Sequence, residues 1–175
     1  MAFIVEDGTG IEDSNAYVDK PFAENYLFGE RLAQFKALSD DEKEAAIIAG
    51  SQFVDVSYEW KGTRSTLEQG LSWPRDDVDF EGHDVIGIPA AVKKAACEAA
   101  YLYLTEEGGL FSNENDKEVA RERIEGAVDI SYVNPKDKAR ESITRFEVID
   151  KLVRDLIKKP ELDGPSVGSA PVVRT

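Results

Sequence analysis

Few residues in this chain have the type and spacing that chemistry requires, and they fall in three stretches. Gly8-Thr9-Gly10 has the beginning of a phosphate loop. A dinucleotide fingerprint would place a third glycine where Asp13 stands, and Gly-Lys-Ser/Thr occurs nowhere, so a flexible turn is the expectation. Asp77-Val78-Asp79-Phe80-Glu81-Gly82 opens as a calcium loop does, with alternating oxygen ligands followed by glycine. The position that should hold a bidentate glutamate is Ile88, and a solvated acidic loop is the plainer reading. His83 lies in the same stretch, with no serine-centred nucleophile elbow and no cysteine beside it, and reads as an exposed loop histidine. Cys97 sits in an alanine-rich run and reads as a small buried apolar residue.

One cysteine and one histidine exclude an internal disulfide framework, a cysteine-based zinc or iron–sulfur cluster, a multi-histidine metal site and a histidine relay. Carboxylate pairs are abundant, but 35 acids among 175 residues produce pairs by chance. No catalytic, cofactor-binding or metal-ligating residue stands out, no cofactor is implied, and the chain does not read as an enzyme. The basic residues come in small groups flanked by acids: Lys93-Lys94, Arg121 with Arg123, Lys136 with Lys138 and Arg140, and Lys158-Lys159. Ordinary solvated surface is the expectation for each, although Arg121 and Arg123 would share one strand face and could meet phosphate or carboxylate.

The balance of charge bounds the partners. Against the 35 acids stand 21 Lys and Arg, for a net charge of −14 and a pI near 4.5. Phosphate affinity comes from clustered cations, so the sign argues against a protein that coats DNA. Hydrophobic residues make up 42%, too many for a disordered chain, and the length fits one domain with its own core. The start, Met1 to Asp7, has no basic region of a signal peptide, and the apolar run from Ala95 to Leu104 is broken by Glu98 and falls short of the ~20 residues of a membrane span. A chain that is soluble, intracellular at synthesis and free of membrane contact is expected.

The elements that would position these residues are mainly helical. Residues 1–18 read as an extended arm with turns. A helix opens at Pro21, with Phe22, Tyr26 and Leu27 on one stripe. A stronger one begins at Ser39, where Ser39-Asp40-Asp41-Glu42 forms a capping box, and runs to about Trp60 through Ala46, Ile47, Gly50, Phe53 and Val54. From Lys61 to Gly87 the periodicity vanishes into a long loop that Leu71, Trp73 and Phe80 would pack. The third helix starts at Pro89, its alanines permit close approach of a neighbour, and Gly108-Gly109 stops it. Val128, Ile130 and Tyr132 alternate with polar residues, which gives a β-hairpin turning near Gly126, over about 119–133. A last helix carries Phe146, Ile149, Leu152, Val153, Leu156 and Ile157 on one stripe, and Pro160 closes it. The expected fold is a small, mainly α bundle of about four helices in one domain, residues 1–159, followed by an extended tail over 160–175.

Three stretches together carry a resemblance: Glu6-Asp7-Gly8-Thr9-Gly10 followed by Asn15-Ala16-Tyr17-Val18; Trp60-Lys61-Gly62 with Leu71-Ser72-Trp73-Pro74-Arg75; and Ile88-Pro89-Ala90-Ala91-Val92-Lys93. In this order they resemble the tailed-phage head–tail connector, or adaptor (head completion), proteins, members of which are often labelled DnaT-like single-stranded-DNA-binding proteins. The adaptor resemblance implies a structural virion protein of the phage neck, assembled in the host cytoplasm. It would form a ring, a dodecamer or about that number of copies, with the portal protein above and a tail-side neck or terminator protein below. DNA would pass the channel without specific binding, since an acidic wall repels phosphate. Trp60, Trp73 and Pro74 would pack the long loop, Arg75 would anchor on carboxylates, and the tail would dock the portal. Under the alternative the chain is a single-stranded-DNA-binding protein of phage replication or packaging, which would need a basic groove and stacking aromatics. A metal-dependent hydrolase on the Asp76–Asp84 loop is the remaining rival.

Overall fold

Ser39 starts the longest helix as its sequence predicts. Its hydroxyl accepts from the Glu42 amide at 3.4 Å, and the Glu42 carboxylate accepts from the Ser39 amide at 2.8 Å, so both ends of the capping box are closed. The structure, a computed structural model, describes residues 2–80, 82–105, 110 and 147–158, together with the backbone of 123–124 and 128–129. Its helices are α1 (Lys20–Tyr26), α2 (Gly29–Ala37), α3 (Asp40–Ser57) and α4 (Ala90–Thr105), and a further helical segment, α5, covers 147–153. Three two-stranded antiparallel ribbons accompany them: β1 (Thr63–Arg64) with β2 (Arg75–Asp76), β3 (Asp79–Phe80) with β4 (His83–Asp84), and β5 (Arg123–Ile124) with β6 (Val128–Asp129). The fold is mainly α, as the periodicity predicts. The β5–β6 register, Arg123 opposite Asp129 and Ile124 opposite Val128, brackets Gly126 as expected. The tail over 160–175, the Gly108-Gly109 stop and the Lys136–Arg140 group lie outside the described residues.

The helix the periodicity misses is α2. It has no side-chain cap, opens on a glycine with φ of +59°, and buries only Phe35 within its nine residues, so no stripe announces it. It is held from outside. The Glu98 carboxylate of α4 accepts from Arg31 Nη2 of α2 at 2.6 Å and from the Tyr26 hydroxyl of α1 at 2.8 Å, and the Arg31 guanidinium lies 4.5 Å from the Tyr101 ring centre. Asp19 caps α1 through the Phe22 amide at 2.8 Å, with Pro21 in the first turn.

α3 ends at Ser57, short of Trp60, because the chain there turns extended to meet the C-terminal segment. Trp60 bridges Ile157, the Lys61 amide donates to the Leu156 carbonyl at 3.0 Å, and the Lys158 amide donates to Glu59 at 2.7 Å. Ile149, Val153 and Leu156 of the expected last stripe are fully buried against the rest of the core.

The core forms where α3 crosses α4. Val92, Ala95, Ala96, Ala99 and Ala100 are buried on α4, facing Ala46, Ile47, Gly50 and Val54 of α3. A Cβ at Gly50 would collide with the Ala100 amide nitrogen and come within 2.6 Å of the Ala96 carbonyl oxygen. The helices thus touch backbone to backbone at this point, which only a residue without a side chain permits.

Residues 1–18, read from sequence as an extended arm with turns, fold back onto the body of the protein. Ala16, Tyr17 and Val18 are buried in the core, and Glu6 and Ser14 are buried too. Val5 bridges Ala16 in parallel, and the Asn15 side chain ties Ile4 and Ala2. Among the described residues no helix is long and apolar enough to cross a membrane.

Gly50→Ala tests the crossing. At an exposed helical site glycine to alanine stabilises by about 1 kcal/mol. Here the methyl has nowhere to go, and overpacking of a tight interface destabilises by about 1–3 kcal/mol. A urea midpoint that falls, with an unchanged dependence on denaturant, is the expected outcome.

Candidate functional site

The glycine-rich turn does not await a phosphate, because the chain supplies its own anion. Glu6, almost wholly buried, accepts through Oε1 from the amides of Gly8 at 3.0 Å and Gly10 at 2.9 Å. Its Oε2 accepts from the Ile11 amide at 2.8 Å and the Ser14 hydroxyl at 2.9 Å. A concave loop of amides is an anion site, and here its anion is a carboxylate two residues upstream. Gly8 and Gly10 carry φ of +101° and +86°, which turns those amides inward.

A second carboxylate, half-buried, fixes the long loop. Asp55, on α3, accepts the Ser72 amide at 2.7 Å and the Ser72 hydroxyl at 3.2 Å, and takes a short hydrogen bond from the Tyr17 hydroxyl. The Tyr17 oxygen in turn accepts the Trp73 amide at 3.3 Å, and the Tyr17 amide donates to Ser51 Oγ at 3.0 Å. Burial, and then the Asp55 charge, push the Tyr17 phenol well above its ordinary value of 10.0. Trp73 is fully buried after this anchoring and meets Trp60 edge to face, ring centres 5.6 Å apart, with the Trp73–Pro74 peptide cis. Both indoles pack the loop, as expected, and neither offers a face to a ligand.

Out of this locked loop one cationic edge emerges. Arg75 donates through Nε to the Lys61 carbonyl at 2.6 Å, through Nη2 to Gly62 at 2.8 Å and through Nη1 to Ser72 at 3.2 Å. The expected carboxylate partner is replaced by three main-chain carbonyls. The β1–β2 register places Arg64 directly opposite Arg75, and Arg64 is exposed. Burial and then the like charge of Arg64 lower the Arg75 pKa. Among the described residues neither guanidinium pairs with a carboxylate, whereas Lys20, Arg31 and Lys43 pair with Glu44, Glu98 and Glu24 at 2.8, 2.6 and 3.0 Å.

The other sequence candidates separate from this edge. Asp79 and Asp84 face each other across the β3–β4 ribbon, where Asp79 Oδ1 accepts the Gly82 amide at 3.4 Å, so the stretch that resembles a calcium loop is a hairpin turn. Among the described residues no three His, Cys, Asp or Glu side chains gather as a metal site would require. His83 is exposed on β4. Cys97 is buried on α4, and that burial pushes its thiol up to about 12. Lys93 of the Lys93-Lys94 pair lies 5.9 Å from the Phe22 ring centre of the same chain. The Asp55–Tyr17 lock escapes sequence reasoning, its one signal being an acid set within the apolar Phe53-Val54-Asp55-Val56 run.

Over residues 1–175 the chain matches the family model described as "Putative DnaT-like ssDNA binding protein". The chain belongs to this family. No curated protein and no solved structure is similar enough to match it. The match overturns the head–tail connector reading, and with it the ring, the portal and tail-side partners, the virion neck and a channel that DNA passes without binding.

Two substitutions check the Glu6 and Asp55 carboxylates. Glu6→Gln puts an NH2 group against amide donors and should destabilise by about 1–3 kcal/mol in denaturant titration. Tyr17→Phe strips Asp55 of a donor and should cost a similar amount at neutral pH. A phenol whose folded pKa is raised contributes stability that is complete below about pH 10 and is lost as pH rises beyond it. The wild type should therefore lose stability above pH 10 more steeply than Tyr17→Phe, followed by tyrosinate absorbance and unfolding midpoint together.

Proposed function

We propose that this family member binds single-stranded DNA as a non-enzymatic module, and that the Arg64–Arg75 edge meets the backbone phosphates. The observation that carries the reading is the cross-strand pair of guanidiniums with no carboxylate partner among the described residues, beside the half-buried Lys61, whereas Lys20, Arg31 and Lys43 are paired with acids of the same chain. Two like charges placed opposite each other are unfavourable unless an anion joins them. Arg75 is held by carbonyls and sets the geometry, while the exposed Arg64, whose Nη2 donates only a long 3.5 Å hydrogen bond to Ser72 Oγ, can turn its fork onto a phosphate. The family description supports the same partner. The sequence contributes further cations, since twelve of its 21 Lys and Arg residues follow Thr105.

The net charge of −14 then sets the character of binding rather than forbidding it. Few phosphates are neutralised, so affinity should depend weakly on salt, with a logarithmic slope of about −0.7 per phosphate contacted on a single strand. Fluorescence anisotropy with a labelled single-stranded oligonucleotide checks this. Saturable binding at low salt, weaker for the matching duplex, is expected. Arg64→Glu should reduce affinity about fivefold to tenfold and lower the magnitude of the salt slope by about 0.7, with an unchanged unfolding midpoint because Arg64 is exposed. Absence of binding at low salt, or preference for the duplex, retires the reading.

A further inference from the structure

An apolar cleft of about 340 Å³ lies between the β3–β4 ribbon and the start of α4. Phe80 and His83, cross-strand partners and therefore neighbours on one face of the ribbon, form one side. Pro89, Ala90 and Ala91 form the other, and Leu156 lies at its base. We propose that this cleft receives one unstacked nucleobase of the bound strand, an inference that rests on the single-stranded-DNA reading and adds to it the place where a base is held.

Four observations support a neutral aromatic ring as the occupant. The volume falls within the roughly 300–1,000 Å³ of small-ligand sites, and a half-buried phenyl ring and an exposed imidazole line it. Such rings offer the π-faces on which bases of any sequence stack. Phosphate is the wrong guest: Asp79 and Asp84 sit opposite each other on the same ribbon, both exposed, and repel an anion. The cleft is also tied to the guanidiniums through one residue. The carbonyl of Leu156, which lines the cleft, accepts the Lys61 amide at 3.0 Å, and the Lys61 carbonyl accepts Arg75 Nε at 2.6 Å. A duplex keeps its bases stacked and paired and cannot fill such a cleft without unstacking, whereas a single strand can. Base insertion thus gives an acidic protein a way to prefer single strands without a large cationic groove.

The test compares oligo(dT) with an abasic oligomer of the same length by anisotropy. The wild type should bind oligo(dT) about tenfold tighter, a margin typical of one stacked base. Phe80→Ala should erase that margin while leaving abasic binding unchanged. Ala90→Leu, at an exposed wall position, fills the cleft without opening the core and should do the same with the unfolding midpoint preserved. An oligomer carrying 5-iodouracil should crosslink within residues 80–91. Equal wild-type affinity for dT and abasic oligomers, or variants that keep the margin, overturns the cleft while the phosphate-edge reading stands. Failure of the wild type to bind either oligomer overturns both.

Discussion

Where α3 and α4 cross, no side chain fits between them. The Gly50 α-carbon lies against the backbone of Ala96 and Ala100, and the small residues on both helices extend that contact along the crossing. Close approach maximises dispersion contacts but dictates everything placed around it. Helices this near expose their flanks on either side, and each flank has its own cover. On one, α1 and α2 are pinned to α4 through Glu98. On the other, the N-terminal strand and the 60–76 loop are pinned to α3 through Ser51 and Asp55. A shift of α3 by one residue would carry Ser51 and Asp55 out of reach of Tyr17 and Ser72, and the cationic edge would lose its mounting.

Buried and half-buried acids do much of the positioning. Glu6, Asp55 and Glu98 each take hydrogen bonds from two or more elements or turns, so their negative charge is spent on holding backbone and phenol groups in place. Charge-assisted hydrogen bonds are stronger than neutral ones, and a buried acceptor left without donors is costly, so such nodes tolerate little rearrangement. Part of the acidity of this chain is therefore structural and has no bearing on whether its surface repels DNA. Counting charges treats these carboxylates as equivalent to exposed ones, which is why the net charge alone misdirects.

Helices with a cap and a stripe were legible from sequence: the Ser39 box, the Pro21 entry, the alanine face of α4 and the Ile149–Val153 part of the last stripe reappear in place, although the last helix ends at 153 and Leu156 and Ile157, expected on it, lie beyond its end. What was illegible depends on contacts distant in sequence. α2 has no stripe because it is held by Glu98 and Tyr101, 67 residues away in the case of Arg31 to Glu98. The arm looked solvent-bound because its Gly, Asp and Asn residues signal turns, and local composition cannot show that Glu6 gathers those turns around itself. The Arg64–Arg75 edge was hidden by the loop between them, since only the β1–β2 register brings the two together.

The stretches that carried the family resemblance have a feature in common that explains how they led to the wrong member of a pair of readings. Glu6 to Gly10 forms a cage around its own carboxylate, Trp60 and Trp73 bury each other, and Leu71 to Pro74 docks on Asp55. These are folding residues, fixed by contacts within the chain. They say little about the partner, and the contacts proposed for it lie at the margins of the same stretches, where Arg75 stands opposite Arg64 and the chain runs on to Phe80 and His83. A motif dominated by buried residues identifies a scaffold, and the function has to be read from the few side chains that the scaffold leaves unneutralised at its edge.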